Sequence, residues 1–404
     1  MKKNNKINNL AKKDQELITL LQELIRIPSW VPEDPKLKKV YNENKVVDYL
    51  ESWLKTNTNM EVIRQPLKGG RFNLIAKRGK PDLVFLAHTD TVKPSEDAPF
   101  DQLSAIINNE EIWGRGASDM KSGIATMIQA LSLSPDTNNI WLFLYADEEY
   151  DFLGMKALVK KFGDIKPKLI VSSDGSDLQL GYGCRGLIEI KARVIGETGH
   201  PAKEGGKNAI WEGFETLYKL KTSLQKTKHK VMGPNSFNVA YTLGGAKEPT
   251  SIDSDNSLVS VGQAGNVVPD IMEFVLDIRP SSQDINLESI IKFIEKDLKK
   301  KGLGFEVINK KHDLGAWFTP ASKIKKYEAL ASKYSNKSKP LYSNPKDSGY
   351  LDLQMFWEAV GRPTAFMYGG GIGETNHSPQ ERISIIDLIR ERNFFIDLLE
   401  SRLE

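Results

Sequence analysis

The chain has 404 residues, of which 40% are hydrophobic and 27% are charged, with 19 prolines spread along it. This is longer than one typical domain needs, and the composition excludes a disordered or fibrous chain. The formal net charge of +3 indicates neither nucleic acid nor an anionic membrane as the main partner.

Helical and strand patterns alternate through the first part of the chain. Apolar residues recur every three or four positions at 17–25, 47–54 and 124–131, and each segment is predicted to be a helix. Continuous apolar runs at 83–87, 140–146 and 169–171 predict strands. Because strands that are apolar on both faces are typical of sheets covered by helices, this region is predicted to form an α/β domain with a largely parallel sheet.

After Cys184 the strands alternate between apolar and polar residues. In 186–194, for example, Ile188 and Ile190 face one way, while Lys191 and Arg193 face the other way, towards solvent. Such alternation predicts an antiparallel sheet with one exposed face. Two amphipathic helices would cover its apolar face, one through Ile210, Phe214, Leu217 and Leu224, and one from 287 to 298.

The predicted domain organisation follows from this change of pattern. Residues 1–183 and 313–404 form one discontinuous α/β domain, with a mixed, largely parallel sheet covered by helices, and we expect it to be the catalytic domain. Residues 184–312 form an inserted α+β domain, with an antiparallel sheet and two helices.

Acidic and imidazole side chains follow three buried strands. His88 and Asp90 follow the first, Glu148 and Glu149 the second, and Asp174 the third. One carboxylate after a strand usually serves a turn or a helix cap. Three consecutive strand ends of this kind instead predict a ligand crevice at the carboxyl edge of the sheet. Asp119, directly before a predicted helix, and His377, near the chain end, complete the candidates.

This set of residues suits hydrolysis at a pair of divalent metal ions. Such a site needs oxygen and imidazole ligands, a carboxylate that bridges the ions, and a separate carboxylate that moves protons. Since no thiolate is among the candidates, zinc is favoured, with cobalt or manganese as alternatives. In an extended segment Glu148 and Glu149 point to opposite sides, so one can bind a metal while the other faces the attacking water.

Six segments of the chain resemble one known family. They are AHTDTV, GRGASDMKSGIA, YADEE, SSDGS, GETGHPAKEGGKNAI and NHSP, which run in this order from residue 87 to residue 379. They are similar to the dinuclear zinc metallopeptidases that include carboxypeptidase G, peptidase T, carnosinase-type dipeptidases, aminoacylase, acetylornithine deacetylase and succinyl-diaminopimelate desuccinylase.

The resemblance implies a role for each candidate. Asp119 would bridge two metal ions, Glu148 would be the general base and acid, and Asp90 would orient His88. A cis peptide bond is implied between Asp119 and Met120. The implied ligands are His88, Asp119 and Asp174 for one metal, and Asp119, Glu149 and His377 for the other.

For the inserted domain, the resemblance implies a lid that also forms a homodimer. His200 would reach into the active site of the partner subunit and stabilise the oxyanion, whereas by residue type alone it fits a surface turn beside Pro201. Asn266 and Arg279 resemble the substrate-anchoring amide and guanidinium of the family. Arg279 also lies on the face of its strand where a charged residue is expected in any case.

The sequence therefore predicts a dinuclear metallohydrolase of small peptides, similar to an aminopeptidase or a dipeptidase. Asp174 favours this interpretation, because many deacylases and carboxypeptidases of the family have glutamate at that position. An N-acyl-amino-acid deacylase is the alternative, and a non-catalytic binding protein on the same fold is the alternative of another class. We expect a small peptide or N-acyl amino acid as substrate, and neither nucleic acid nor a membrane as partner.

The expected location is the cytoplasm. The single cysteine, Cys184, cannot form a disulfide within the chain, which suits a reducing compartment. No apolar region of a signal peptide follows the basic N-terminal residues, and the longest apolar runs, of about seven residues, are too short to span a membrane.

Overall fold

The structure is a computed structural model that describes residues 10–32, 43–203 and 205–401. Within these residues the chain divides into two compact units. The first unit consists of the described parts of Met1–Tyr182, Thr319–Asn344 and Met355–Glu404, and the second consists of those of Gly183–Phe318 and Pro345–Gln354.

The helices and strands are numbered in chain order. Up to residue 182 they are α1 (Lys12–Arg26), α2 (Asn44–Asn57), β1 (Glu61–Pro66), β2 (Phe72–Arg78), β3 (Leu83–His88), β4 (Ile106–Asn108), β5 (Glu111–Trp113), α3 (Lys121–Leu133), β6 (Ile140–Tyr145), α4 (Leu153–Phe162) and β7 (Leu169–Ser172). From 183 to 318 they are β8 (Gly183–Cys184), β9 (Leu187–Ile195), α5 (Ala209–Lys226), β10 (Lys228–His229), β11 (Gly233–Pro234), β12 (Ser236–Gly245), β13 (Ile271–Arg279), α6 (Leu287–Lys300), β14 (Gly304–Leu314) and β15 (Trp317–Phe318). After 318 they are α7 (Ala321–Ile324), α8 (Glu328–Tyr334), α9 (Leu353–Ala359), β16 (Thr364–Met367), β17 (Arg382–Ser384) and α10 (Ile385–Glu400). Among the described helices, none combines the length and the apolarity that a bilayer crossing requires.

A six-stranded mixed sheet lies at the centre of the first unit, in the order β1-β2-β6-β3-β7-β16. The strands β6, β3, β7 and β16 are parallel, and β1 and β2 extend the sheet with antiparallel pairing. Every residue of β3 and β7 is buried. This arrangement confirms the mixed, largely parallel sheet that the continuous apolar runs predict.

Helix α3 contacts α1 and α10 and is buried along most of its length. Near its start it approaches the segment after β7 so closely that a Cβ atom on Gly123 would lie 2.1 Å from Ser173 Oγ. A larger side chain does not fit there without a shift of that segment. The close approach brings the start of α3, which follows Asp119, near the segment that carries Asp174.

An antiparallel four-stranded sheet, in the order β12-β13-β9-β14, forms the second unit together with α5 and α6. The buried residues of both helices share one apolar cluster with alternate residues of β9 and β13, such as Ile190 and Phe274. The two amphipathic helices therefore cover one face of the sheet. This confirms the predicted α+β architecture of the middle region.

One aromatic side chain of α5 lies on the opposite side of the helix from its predicted place. The apolar spacing puts Phe214 on the buried face, but its side chain is exposed. Gly213 lies against the sheet instead, where a Cβ atom would lie 2.6 Å from Met272 Sδ. Because successive helical residues are rotated by about 100°, Phe214 points outwards, as Trp211 and Tyr218 do.

The other face of this sheet is less exposed than its polar residues predict. Arg193 and Glu273 are buried there, with Arg193 Nη2 at 2.8 Å from Glu273 Oε2. The main-chain N–H of Leu258 donates to the same carboxylate oxygen. The segment around Leu258 thus covers this part of the sheet, and the arginine and the glutamate compensate each other's charge beneath it.

Candidate metal centre

The parallel strands of the first unit bring most of the candidate residues to one edge of the sheet. His88 is the last residue of β3, Glu148 and Glu149 follow β6, and Asp174 follows β7. Since β6, β3 and β7 are adjacent and parallel, their carboxyl ends meet at the same edge.

Asp119 lies between two imidazole rings. Its Oδ1 atom is 3.0 Å from His88 Nε2, and its Oδ2 atom is 3.2 Å from His377 Nε2. His377 Nε2 also lies 3.0 Å from Glu149 Oε1. The two oxygens of Asp119 therefore face different potential metal ligands, with His88 on one side and His377 on the other, as a bridging ligand requires. The peptide bond from Asp119 to Met120 is cis, which confirms that expectation.

Three groups of potential metal ligands are found among the described residues. In each group, one donor atom per residue lies within 4.8 Å of the others. Two of the groups have the composition that the resemblance implies for two metal sites, and the third joins Glu148 to His88 and Glu149. The groups are His88, Asp119 and Asp174; Asp119, Glu149 and His377; and His88, Glu148 and Glu149.

The electrostatics of the site reflect the crowding of negative charge. Burial, together with the nearby carboxylates of Asp119 and Glu149, raises the pKa of Asp174 to about 7. Burial raises the pKa of Glu149 as well, and the charge of Asp119 adds to this effect. Both shifts show that ionised carboxylates destabilise one another at this edge. A cation placed among them would relieve that repulsion.

The two imidazoles are stabilised in their protonated form by the same carboxylates. Hydrogen bonds with Asp119 and Glu149 raise the pKa of His377 to about 10. Burial opposes protonation of His88, but contacts with Asp119 and Asp90 outweigh it and raise the pKa of His88 well above its usual value. For Asp119, burial alone would raise the pKa, yet hydrogen bonds from His377 and His88 lower it. All three shifts reflect the attraction between the imidazolium groups and the surrounding carboxylates.

The donor set fits a pair of divalent cations. Its first two groups together offer three carboxylates and two imidazoles, with the donor atoms of each group within 4.8 Å of one another, and they contain no thiolate. Oxygen and imidazole donors of this kind suit zinc, cobalt and manganese. The residues present are therefore compatible with a dinuclear centre that Asp119 bridges.

Asp90 is fully buried beside His88. His88 Nδ1 lies 3.0 Å from the main-chain oxygen of Asp90 and 3.6 Å from its Oδ1 atom. The carboxylate itself accepts hydrogen bonds from the main-chain N–H groups of Glu148 and Glu149, both at 3.0 Å. Asp90 thus contacts the imidazole mainly through its main chain and holds the turn after β6 through its side chain.

Glu148 and Glu149 lie in a turn and not in the extended segment assumed from the sequence. The turn begins at Asp147, whose φ of 71° is in the left-handed region. A buried cluster holds this conformation: Glu43 Oε1 accepts the N–H of Asp147 at 3.0 Å, and Arg71 Nη1 lies 2.8 Å from Asp147 Oδ1. Sequence reasoning missed Glu43 and Arg71, because their residue types alone predict solvent exposure.

Asn376 is a further residue that the sequence did not single out. Its Nδ2 atom lies 3.4 Å from Asp119 Oδ2, and its Oδ1 atom accepts a hydrogen bond from the hydroxyl of Ser118 at 2.5 Å. It precedes His377, whose φ of 60° also lies in the left-handed region. The only signal in the sequence was its position within the NHSP segment.

The three remaining candidates, His200, Asn266 and Arg279, belong to the second unit. His200 is exposed, and its Nδ1 atom accepts the main-chain N–H of Ala202. Asn266 lies exposed in a turn. Arg279 ends β13 and forms a two-point contact with the carboxylate of Asp277, with both distances 2.8 Å.

Comparisons with known proteins agree with this geometry. A model of "Peptidase family M20/M25/M40" matches residues 84–401. The chain is 26% identical to an uncharacterised metallohydrolase of Methanocaldococcus jannaschii, across 96% of this chain and 99% of that protein. It is 26% identical to a succinyl-diaminopimelate desuccinylase of Pelagibacter ubique, across 95% of this chain and 98% of that protein. Its fold is similar to that of aminopeptidase PepT from Bacillus cereus in a crystal structure, with a TM-score of 0.71 and 18% sequence identity. The similarity covers 97% of this chain and 99% of that chain.

Proposed function

We propose that this chain, which belongs to the peptidase family M20/M25/M40, is a metal-dependent hydrolase that cleaves the amide bonds of small peptides in the manner of an aminopeptidase or dipeptidase. The observation that carries the proposal is the position of Asp119, whose two oxygens face His88 and His377 at 3.0 and 3.2 Å. A carboxylate shared in this way between two donor groups suits a two-metal hydrolase.

Two divalent cations would be held by the five candidate ligands, with zinc favoured and cobalt or manganese as alternatives. When bound, such a pair polarises a substrate carbonyl and lowers the pKa of water. His88 and Asp174 would serve one cation, Glu149 and His377 the other, and Asp119 both.

Glu148 is proposed as the group that moves the proton. Its main-chain N–H is fixed by Asp90, and its side chain is nearly buried at the same edge of the sheet. The carboxylate of Glu148 takes a proton from the attacking water and later passes it to the leaving nitrogen. The turn that carries Glu148 also carries the ligand Glu149, so Asp90 positions both residues with one side chain.

The second unit is proposed to act as the lid, with His200 and Asn266 as contacts for the substrate. Arg279 would bind a substrate carboxylate. Asp277 accepts from Nε and one Nη atom of Arg279, and the ring of Tyr350 lies 5.0 Å from the guanidinium carbon. These contacts fix the orientation of the guanidinium and leave its second Nη group for a ligand.

We propose that a second copy of the chain pairs with the outer face of α5 and with the edge strand β12. Trp211 and Tyr218 are each 70% exposed on this face, and Phe214 lies exposed between them. β12 is one of the two edge strands of the described sheet, and Tyr241 on it is exposed as well. Exposed aromatic groups beside a strand edge are typical of surfaces that associate.

A double substitution tests this dimer. Trp211→Ser with Tyr218→Ser should convert the protein to a monomer in analytical ultracentrifugation, while Leu133→Ser, at an exposed leucine of the first unit, should leave it dimeric.

If His200 acts across the subunits, a heterodimer of a His200→Ala chain and a Glu148→Gln chain should regain activity through a hybrid site. A heterodimer without regained activity would contradict the action of His200 across the subunits. A wild-type protein that is monomeric would contradict the proposed dimer itself.

A deacylase is the second candidate, because a desuccinylase is similar to the chain along nearly its full length. The test is to remove metals with a chelator, restore zinc, cobalt or manganese, and measure hydrolysis of dipeptides, tripeptides, and N-acetyl and N-succinyl amino acids. We expect peptide hydrolysis that depends on the added metal. Hydrolysis of acyl amino acids alone would establish the deacylase instead. A protein that binds no divalent metal and cleaves none of these substrates would be a non-catalytic binding protein.

A further inference from the structure

We propose that Glu381 is a positioning residue that holds the bridging ligand Asp119 in place and joins its loop to the loop of His377. The inference rests on the proposed function, because it concerns the same metal centre. Glu381 lies outside the ligand groups found among the described residues, and it acts on them only through other atoms.

The carboxylate of Glu381 is surrounded by the loop that leads to Asp119. Its Oε1 atom accepts three main-chain hydrogen bonds, from the N–H groups of Gly116 at 2.9 Å, Ser118 at 3.1 Å and Asp119 at 3.0 Å. Its Oε2 atom pairs with the guanidinium of Arg115. Gly116 has a φ of 85°, in the left-handed region, which turns the loop around the carboxylate. One side chain therefore fixes the main chain of the loop up to Asp119 itself.

The same residue joins two segments that are far apart in the sequence. Glu381 follows His377 by four positions, and its main-chain oxygen accepts the N–H of Gly114. Arg115 Nη2 lies 3.4 Å from the main-chain oxygen of His377, and Gln102 Nε2 donates to the main-chain oxygen of Ser378 at 3.0 Å. The contacts that fix Asp119 thus also fix the loop that carries His377.

Burial makes this arrangement sensitive to small changes. Glu381 is fully buried, and Arg115 is 1% exposed. Removal of one partner from such a pair leaves the other charge buried without compensation. A glutamine at position 381 keeps the shape of the side chain, but its NH₂ group must face either the Arg115 guanidinium or the three main-chain donors. The loop must then move, and Asp119 moves with it.

A purely structural ion pair would behave differently, and the second unit provides one for comparison. Glu273 is fully buried like Glu381 and pairs with Arg193, which is 2% exposed. It accepts one main-chain hydrogen bond, from Leu258, and it belongs to the other unit from the candidate ligands. Glu273 also pairs with Lys191, and Arg193 also pairs with Glu306. Glu273→Gln is therefore a control that, like Glu381→Gln, removes one fully buried carboxylate charge beside a buried arginine.

The experiment measures metal binding and not only activity. The metal-free wild-type protein, Glu381→Gln, Glu381→Asp and Glu273→Gln are titrated with Zn²⁺ against a chelating dye, and their Co²⁺ forms are compared by visible absorption. We expect both variants at position 381 to bind metal about 10- to 100-fold more weakly and to change the Co²⁺ spectrum. Glu273→Gln should bind metal as the wild type does.

Thermal unfolding of the metal-free proteins separates positioning from loss of the fold. Glu381→Asp keeps the charge opposite Arg115 and is shorter by one methylene, so it decides the matter if Glu381→Gln does not fold. Wild-type metal affinity and an unchanged Co²⁺ spectrum in Glu381→Asp would overturn the inference, as would an equal loss of affinity in Glu273→Gln. If the wild-type protein itself binds no divalent metal, the proposed function fails first.

Discussion

Buried arginine–glutamate pairs occur in both units, and two of them, Arg115–Glu381 in the first and Arg193–Glu273 in the second, hold different parts of the main chain. Glu381 in the first unit accepts three N–H groups of the loop that ends at Asp119, while Glu273 in the second unit accepts one N–H group, from Leu258. Both glutamates are fully buried. The buried pairs therefore have similar chemistry, and they differ in what they position.

This difference suggests a division between the units. In the first unit, the buried groups Glu43, Arg71 and Glu381 contact the turns that carry candidate ligands. In the second unit, buried charge lies under the segment around Leu258, where it fixes a cover over the sheet. If the division holds, substitutions of these three groups of the first unit should affect catalysis and metal binding, while substitutions of Glu273 and Arg193 should affect stability.

The largest expected effect is on turnover, at Glu148 in the first unit. Glu148→Gln should lower kcat by about 100- to 10,000-fold, because amide nitrogen cannot take up the proton of the attacking water. Its metal content, measured by elemental analysis, should equal that of the wild type. Glu96→Gln, at an exposed glutamate of the same unit, is the control and should keep full activity. Unchanged turnover in Glu148→Gln would show that another group is the base.

The next effect is on stability, in the second unit. Glu273→Gln should lower the free energy of unfolding by up to about 3–5 kcal/mol, because the buried Arg193 then keeps only the partly exposed carboxylate of Glu306, at 3.1 Å, as its counter-charge. Chemical denaturation of the metal-free protein measures this loss. Replacement of both partners, Arg193→Met with Glu273→Met, should recover part of it, because Lys191 and Glu306 then each lose a partner nearer the surface. A loss below about 1 kcal/mol in Glu273→Gln would mean that solvent reaches the pair in solution.

A pH effect is expected from a buried carboxyl of the first unit that lies outside the candidate ligands. Burial raises the pKa of Glu391 to about 8 from an ordinary value of 4.5, and its Oε2 atom accepts a hydrogen bond from the main-chain N–H of Gly370. The charge of Asp387 acts in the same direction, while burial keeps the nearby Tyr368 neutral by raising its pKa. Between pH 4.5 and 8 the unfolded chain has lost this proton and the folded chain keeps it.

Stability should therefore fall as the pH rises through that window, by at most about 1.4 kcal/mol per pH unit from this group. Glu391→Gln cannot ionise and should show a flatter curve. Urea denaturation of the wild type and the variant at several pH values between 5 and 8 compares the two slopes. Parallel curves would mean that the folded protein ionises Glu391 as readily as the unfolded chain does.

The smallest effect is expected at an exposed ion pair. Arg362 Nε lies 2.7 Å from Glu358 Oε2, and each of the two side chains is 52% exposed. Glu358→Gln should change the free energy of unfolding by less than about 1 kcal/mol, because solvent screens the pair. The same denaturation measurements check this value. A loss of stability as large as that of Glu273→Gln would show that burial does not determine how much an ion pair of this protein contributes to stability.

The parts of the fold that the sequence could predict are those that depend on local pattern. Continuous apolar runs identified β3, β6 and β7, and the alternation in β9 and β13 identified the antiparallel sheet. The edge where parallel strands end is a property of the topology, so the convergence of His88, Glu149 and Asp174 followed from the order of the strands.

What the sequence could not predict depends on neighbours that are distant along the chain. Residue type suggests that Arg193, Arg71 and Glu381 are exposed, and only the tertiary structure shows that each is buried with a partner of opposite charge. Phe214 was placed wrongly because the helical pattern does not show that Gly213 must lie against Met272. In both cases, contacts with residues distant in the sequence determine which side chains are buried, and the local sequence pattern does not show those contacts.

The order of the ligands along the chain has a consequence for biosynthesis. His377 and Glu381 belong to Met355–Glu404, which is translated after the whole of Gly183–Phe318. A nascent polypeptide therefore holds His88, Asp119, Glu149 and Asp174 before it has the last candidate ligand, His377, or the carboxylate of Glu381, which accepts hydrogen bonds from the loop of Asp119. The whole of Gly183–Phe318 must be translated before this proposed centre can form, so no translation product that ends before residue 377 can contain all five candidate ligands.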